Sequence, residues 1–315
     1  MKLARYEMGG ASGAGVVVGD GAIASLSQVE QWLGRPPLTD GLAPVRDALV
    51  EWLWRHEHRP LGGLEAEVGE ALDSGEVTVV ALDEVRLLAP VHGPQKVIGT
   101  GNFLAHFEEI KRCTRFPAIA MLAGSTSSRI KSYLASPSSI AAPYDDLPYP
   151  GSTSELDYEV ELAVVIRRSL KNADPAQAKA AILGVMVAND ISARDIQMDE
   201  MAAGLVNHGK NLDCTLPLGP WIDTDWERCL SGEMRTRVNG QLRQQHPLAD
   251  MNNPMEVLVS RLSADMTLHP GDVILGGTCP GPASFQPNWD ELVLKPGDVL
   301  ETEITTIGVL RNRIL

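Results

Sequence analysis

The run ELDYEVELAVVI, residues 155–166, constrains this chain more than any other stretch, because it sets Glu159 and Glu161 two apart inside an apolar, β-prone segment. Successive side chains of a strand point to opposite faces, so two carboxylates at this spacing share a face roughly 7 Å apart along the chain. Like charges so placed repel. Buried without a cation they would take up protons or destabilise the fold, so a buried pair points to a hard divalent metal with oxygen ligands. An edge strand with a solvated charged face satisfies the same spacing, and the stretch alone leaves both arrangements open.

The length of 315 residues allows one large domain or a main domain with an appendage, and 44% hydrophobic with 22% charged residues is ordinary for a soluble globular protein. A formal net charge of −14 excludes nonspecific affinity for nucleic acid or anionic membranes, so an anionic substrate must be attracted locally. Cys113, Cys214, Cys229 and Cys279 show no CxxC spacing, and the opening MKLARYEMGG lacks the apolar core of a signal peptide. No apolar run approaches the ~18 residues a membrane helix needs. A cytoplasmic protein with reduced thiols is the expectation.

Two units are expected, an α/β appendage over residues 1–85 and a β-rich catalytic part over 86–315. In the first, GVVVGDGAIASL reads as two short strands around Gly19, Asp20 and Gly21, VRDALVEWLWRHEH as a helix with His56 and His58 at its solvated end, and VTVVAL and VRLLAPV as strands. Beyond residue 86, NFLAHFEEI and the stretch 174–185 have helical character, the latter opened by Asp174 as N-cap and Pro175 at the first helical position. LAVVIRR, TRVNGQLRQQ with its Asn239–Gly240 turn, GDVILGG and GDVLETEITTIGVLRN read as strands. The triplet Pro-Gly-Asp, at 270–272 and 296–298, is turn chemistry used twice.

Asp190 ends the apolar run of GVMVANDISARDIQ beside Asn189, where an acidic residue supplies a third oxygen ligand or merely caps a turn. Three carboxylates around Mg²⁺ leave coordination positions for water and a chelating substrate. His106 and Glu109, three apart on one helical face, form a general-base arrangement in which the carboxylate orients the imidazole, unless the pair is surface decoration.

The segments GNFLAHFEE, LDYEVELAVVI, VANDISARDIQ, GKNLDCTLPLGPWI, VNGQLRQ, LHPGDVILGGT and IGVLRN, in this order, resemble the fumarylacetoacetate hydrolase (FAH) family over about 220 residues. The resemblance implies an α+β, β-rich fold, a mixed β-sheet roll with a few helices, paired as a homodimer. It implies Mg²⁺, Mn²⁺ or Ca²⁺ on Glu159, Glu161 and Asp190, water activated by His106 and Glu109, Lys210 stabilising developing enolate charge, and Gln197 and Thr278 beside the substrate. The implied activity is hydrolysis of a carbon–carbon bond in acylpyruvate-like or fumarylacetoacetate-like 2,4-dioxo acids, in the catabolism of aromatic compounds. A 2-oxo-alkenoate hydratase, a keto–enol isomerase, a 2-oxo acid decarboxylase or a non-catalytic binding relative are the alternatives on this scaffold.

Several positions depart from the family's pattern. Phe103 stands where Tyr is common, Gly99 where some members carry a fourth acidic ligand, Ser136 where a Lys often precedes Pro-Ser, Gly276 where Thr is frequent, and Cys279 where Pro is usual. Three protein ligands are therefore expected. The polar, locally basic stretch from Lys111 through KRCTR to GSTSSRIKSY suits a lid, with Lys111, Arg112 or Arg115 meeting a distal substrate carboxylate.

Overall fold

The computed structural model describes residues 1–19, 21–38, 48–94, 96–117, 119–120 and 130–315. Asp20, residues 45–47 of the first expected helix and residues 124–129 of the expected lid lie outside them. The architecture is α+β and β-rich; among the described residues a 12-stranded sheet, a 4-stranded sheet and a 2-stranded pairing are joined by short helices.

The central strand is Val160–Ile166, paired antiparallel with Ile182–Asn189 on one side and Val273–Thr278 on the other. Beyond Ile182–Asn189 come Leu216–Asp223, Lys2–Met8, Ala11–Val18, Ala22–Ser25 and Val79–Ala81; beyond Val273–Thr278 come Val97–Thr100, in parallel, and Ser132–Ala135. A second sheet runs Gln241–Pro247, Glu233–Val238, Val299–Ile304, Gly308–Arg313, all antiparallel. Alternation along the central strand feeds two cores. Leu162, Val164 and Ile166 pack with Met234, Ile304 and Leu310 of the second sheet, whereas Ala163 and Val165 pack with Leu3, Val16 and Trp52 beneath the N-terminal helices. Buried on both faces, the strand reads as a nearly continuous apolar run, which makes a carboxylate within it conspicuous.

Residues 1–85 are joined to the rest through the sheet itself, Lys2 and Leu3 pairing with Asp223 and Ile222. His56 is a correction to the expected solvated helix end: it is buried, its Nε2 lying 3.1 Å from Glu30 Oε1, which also accepts from Trp52 Nε1 at 3.2 Å. His58 remains exposed. The helix after Asp174 is shorter than expected. Asp174 and Gln177 form a reciprocal capping box around Pro175, but the helix ends at Ala181 and Ile182–Asn189 is a strand. Short apolar runs satisfy either period, and here burial on both faces favours the extended one.

Turn chemistry behaves as expected. Asn239 and Gly240 both take positive φ, 52° and 78°, as a two-residue hairpin turn requires. Each Pro-Gly-Asp triplet uses the same device, the aspartate accepting from the backbone three residues earlier: His269 N to Asp272 Oδ2 at 2.9 Å and Lys295 N to Asp298 Oδ2 at 2.8 Å. Among the described residues, no helix is long and apolar enough to cross a membrane.

Candidate active site

Glu161 enters the site because the central ladder is irregular at that point. Opposite it, Glu161 pairs with Thr278 and Ala163 with Leu275, so Gly276 and Gly277 together face Leu162 as a bulge. Gly277 has φ of 85°, a Cβ there would lie 2.5 Å from Asn102 N, and its N–H donates to Glu161 Oε2 at 2.7 Å. Glu159 precedes the strand proper. Its N–H donates to Asn189 Oδ1 at 2.8 Å while Asp190 N–H donates to Glu159 O at 2.9 Å, so the chain fixes these two acids against one another. Glu159, Glu161 and Asp190 are all buried, with one carboxylate oxygen from each within 4.8 Å of the others. The solvated-face alternative for the Glu pair is thereby removed.

Two cations balance part of this charge. Lys210 Nζ lies 2.6 Å from Glu159 Oε2 and 2.7 Å from Asp190 Oδ2. Arg194, also buried, bonds Asp157 Oδ2 at 2.8 Å, Glu159 Oε1 at 2.5 Å and Gln197 Oε1 at 2.7 Å. Burial opposes ionisation of Glu159, but Arg194 and Lys210 outweigh it and hold its carboxyl at about 2. Glu161 goes the other way: burial first, then the charges of Asp190 and Glu159, push its carboxyl well above the usual range. Burial also raises Asp190 despite Lys210. With all four carboxyls ionised, Asp157, Glu159, Glu161 and Asp190 would outnumber Arg194 and Lys210 by two charges, an excess that the metal-free site relieves by keeping protons. An all-oxygen, buried donor set with that excess fits a hard divalent cation such as Mg²⁺ or Mn²⁺, with Glu159, Glu161 and Asp190 as its holders.

His106 and Glu109 lie on the helix Leu104–Arg112, His106 Nδ1 being 3.0 Å from Glu109 Oε2. Glu109 is fixed in turn by Gly281 N–H at 3.0 Å and Gln286 Nε2 at 2.7 Å. An ionised carboxylate only accepts, so Nδ1 carries the hydrogen and Nε2 is left with the lone pair. The ring is braced edge-on by Phe285, centroids 5.4 Å apart, and lines a cavity of about 240 Å³ together with the three acids, Lys210 and Gln197.

The other expected substrate groups divide. Gln197 lines the cavity, and with its oxygen taken by Arg194 its NH₂ is what it can offer a ligand. Thr278 also lines it, but its hydroxyl hydrogen is donated to Val160 O at 2.9 Å. Arg115 is not among the described residues lining the cavity; it pairs with Glu155 and lies over the Trp289 ring, 3.3 Å from its centroid. Lys111 and Arg112 are likewise engaged, with Glu108. Ser136 caps the short turn Pro137–Ser139, and Phe103 is buried edge-on against His246.

Sequence reasoning missed Arg194, although it sits in the quoted segment VANDISARDIQ, and Tyr133. The signal for Tyr133 was Gly99. A Cβ at Gly99 would lie 2.1 Å from the Tyr133 ring, so the phenol fills the space that a side chain at 99 would need, and its hydroxyl donates to Asp190 Oδ2. Burial, then the charge of Asp190, holds that phenol well above its ordinary range, neutral and able to donate.

Comparison with known proteins agrees with this fold. Residues 96–315 match the family model described as fumarylacetoacetate (FAA) hydrolase C-terminal. A mitochondrial oxaloacetate tautomerase of Rattus norvegicus is 34% identical over 245 residues, 77% of this chain and 73% of the relative. The solved fumarylacetoacetate hydrolase from psychrophilic Exiguobacterium antarcticum is 28% identical with a TM-score of 0.75, covering 100% of this chain and 99% of its own. Maleylpyruvate hydrolase from Sphingobium sp. SYK-6, solved in complex with manganese (II) ion and pyruvate, is 25% identical with a TM-score of 0.72 and the same coverages.

Proposed function

The chain belongs to the fumarylacetoacetate hydrolase family, and we propose that it is a divalent-metal-dependent hydrolase cleaving a carbon–carbon bond in 2,4-dioxo acids. The observation that carries this reading is the His106–Glu109 hydrogen bond of 3.0 Å, with Glu109 clamped from two sides, in the wall of the cavity that holds the three acids. A divalent cation on Glu159, Glu161 and Asp190 would supply Lewis-acid polarisation of a chelating 2-oxo acid.

The rest falls to the chain's own groups. His106 Nε2 takes a proton from water, and Glu109 orients the ring and stabilises the imidazolium that forms. The oxygen of that water adds to the distal carbonyl, and collapse breaks the bond to the neighbouring carbon. Its electron pair passes into the 2-oxo acid portion as an enolate, which reprotonates to pyruvate when the substrate is an acylpyruvate. Lys210, once it shares Glu159 and Asp190 with a cation, is the ammonium placed to steady that charge.

Keto–enol tautomerisation is the second reading, favoured by the 34% identity to an oxaloacetate tautomerase; there His106 would move a proton without recruiting water. Product analysis separates them. Manganese-loaded protein given acetylpyruvate should release acetate and pyruvate, and His106→Asn should lower kcat by about 10²- to 10⁴-fold while Mn²⁺ still binds. Faster enol loss with no carbon–carbon cleavage in any 2,4-dioxo acid would replace the hydrolase with the tautomerase.

A further inference from the structure

One wall of the cavity is apolar and belongs to a hydrophobic cluster of its own. Ile119, Met198 and Phe285 are buried in it, with Ile110, Met201 and Phe116 packed alongside, and all of these except Phe116 line the cavity. Ile110 lies four residues beyond His106 on the same helix, one turn along the same face, so the wall begins where the proton-transfer group ends. Met198 follows Gln197 on the helix Arg194–Ala202, so that helix also presents a polar and an apolar group to one space. The cationic side chains expected to meet a second carboxylate, those of Lys111, Arg112 and Arg115, are bound to Glu108 and Glu155 instead. Lys210 and Arg194 are committed to the buried acids, and Lys131, the remaining described cation in the cavity lining, lies over the Phe107 ring, 5.4 Å from its centroid.

We propose that this wall is an acyl subsite, and that the substrate is a 2,4-dioxo monocarboxylate whose tail beyond the distal carbonyl is apolar. The inference rests on the proposed function, because the acid-and-cation end must hold the oxo-acid head for the wall to meet the tail. Placing a carboxylate against Met198, Met201 and Phe285 would strip it of water without returning a partner, a cost that apolar carbons do not carry. Two flexible thioethers suit a tail of variable length, since methionine repacks around irregular shapes at little cost.

The experiment measures binding and turnover by the manganese-loaded protein across straight-chain 2,4-dioxo acids of increasing tail length, and across analogues ending in a second carboxylate. Affinity by competition calorimetry should rise about fourfold per added methylene until the cavity is filled, and the second carboxylate should abolish that gain. Met201→Lys, at the half-buried edge of the wall, should reverse the order in favour of the dicarboxylates, and Met201→Ala should flatten the methylene series. A flat series in wild type overturns the subsite. So does a preference for the second carboxylate, and its loss in Lys131→Met would then name Lys131 as the tail's partner. If Mn²⁺ binds but neither class of oxo acid does, the functional reading itself fails and the subsite falls with it.

Discussion

Replacing Glu161 with glutamine tests the electrostatic account of the site where buried charge is least compensated. In the folded chain burial, then Asp190 and Glu159, raise this carboxyl well above its ordinary value of 4.5. A raised folded value means that the folded protein keeps a proton that the unfolded chain has already released. The associated stability is therefore complete below about pH 4.5 and is lost as pH climbs toward the folded value. Each unit in that window costs about 1.4 kcal/mol per retained proton, which at about 2 °C per kcal/mol for a chain of this size lowers Tm by about 3 °C. Glutamine keeps the shape and has no proton to lose, so metal-free Glu161→Gln should lack this slope and melt above metal-free wild type at the alkaline end. A divalent ion should do the same for wild type by supplying the missing charge, adding about 2.7 kcal/mol at one hundred times its Kd, or about 5 °C, with a much smaller gain in the variant. Scanning calorimetry of chelator-stripped and Mn²⁺-loaded protein between about pH 6 and 8 measures all of these. Identical pH slopes in wild type and Glu161→Gln, with identical responses to Mn²⁺, would refute the reasoning.

Two further outcomes follow from the same contacts. Lys210→Met should destabilise the metal-free protein by about 3–5 kcal/mol, because Glu159 and Asp190 lose a buried ammonium they share, and Mn²⁺ should restore much of that loss in a thermal melt. Gly99→Ala should cost about 1–3 kcal/mol by driving a methyl group into the Tyr133 ring, and pairing it with Tyr133→Ala should give a total well below the sum of the two single losses, read as a double-mutant cycle of denaturant unfolding.

Much of the site was legible because its chemistry is local in sequence. Glu159 and Glu161 declare themselves by charge inside an apolar run, Asp190 by ending another, and His106 with Glu109 by a spacing of three on a helix. The same holds for the fold where one residue type decides the backbone, as at Asn239–Gly240 or at Asp174 and Pro175. What could not be read depends on partners remote in the chain. His56 looked like a solvated helix end because Glu30, its partner, lies on another helix. Nothing in KRCTR reveals that Trp289 and Glu155 wait for Arg115. The start of Ile182–Asn189 reads equally as helix, because a buried strand shows no polar alternation.

The phenol beside Asp190 has a consequence for how such a chain can have arisen. Tyrosine at 133 and any side chain larger than hydrogen at 99 compete for one volume, the Cβ position lying 2.1 Å from the ring. Tyrosine arriving first would have met an occupied space, whereas glycine arriving first would have left only a small void to be tolerated. A designer wishing to install an acid at 99 must therefore first take the ring away.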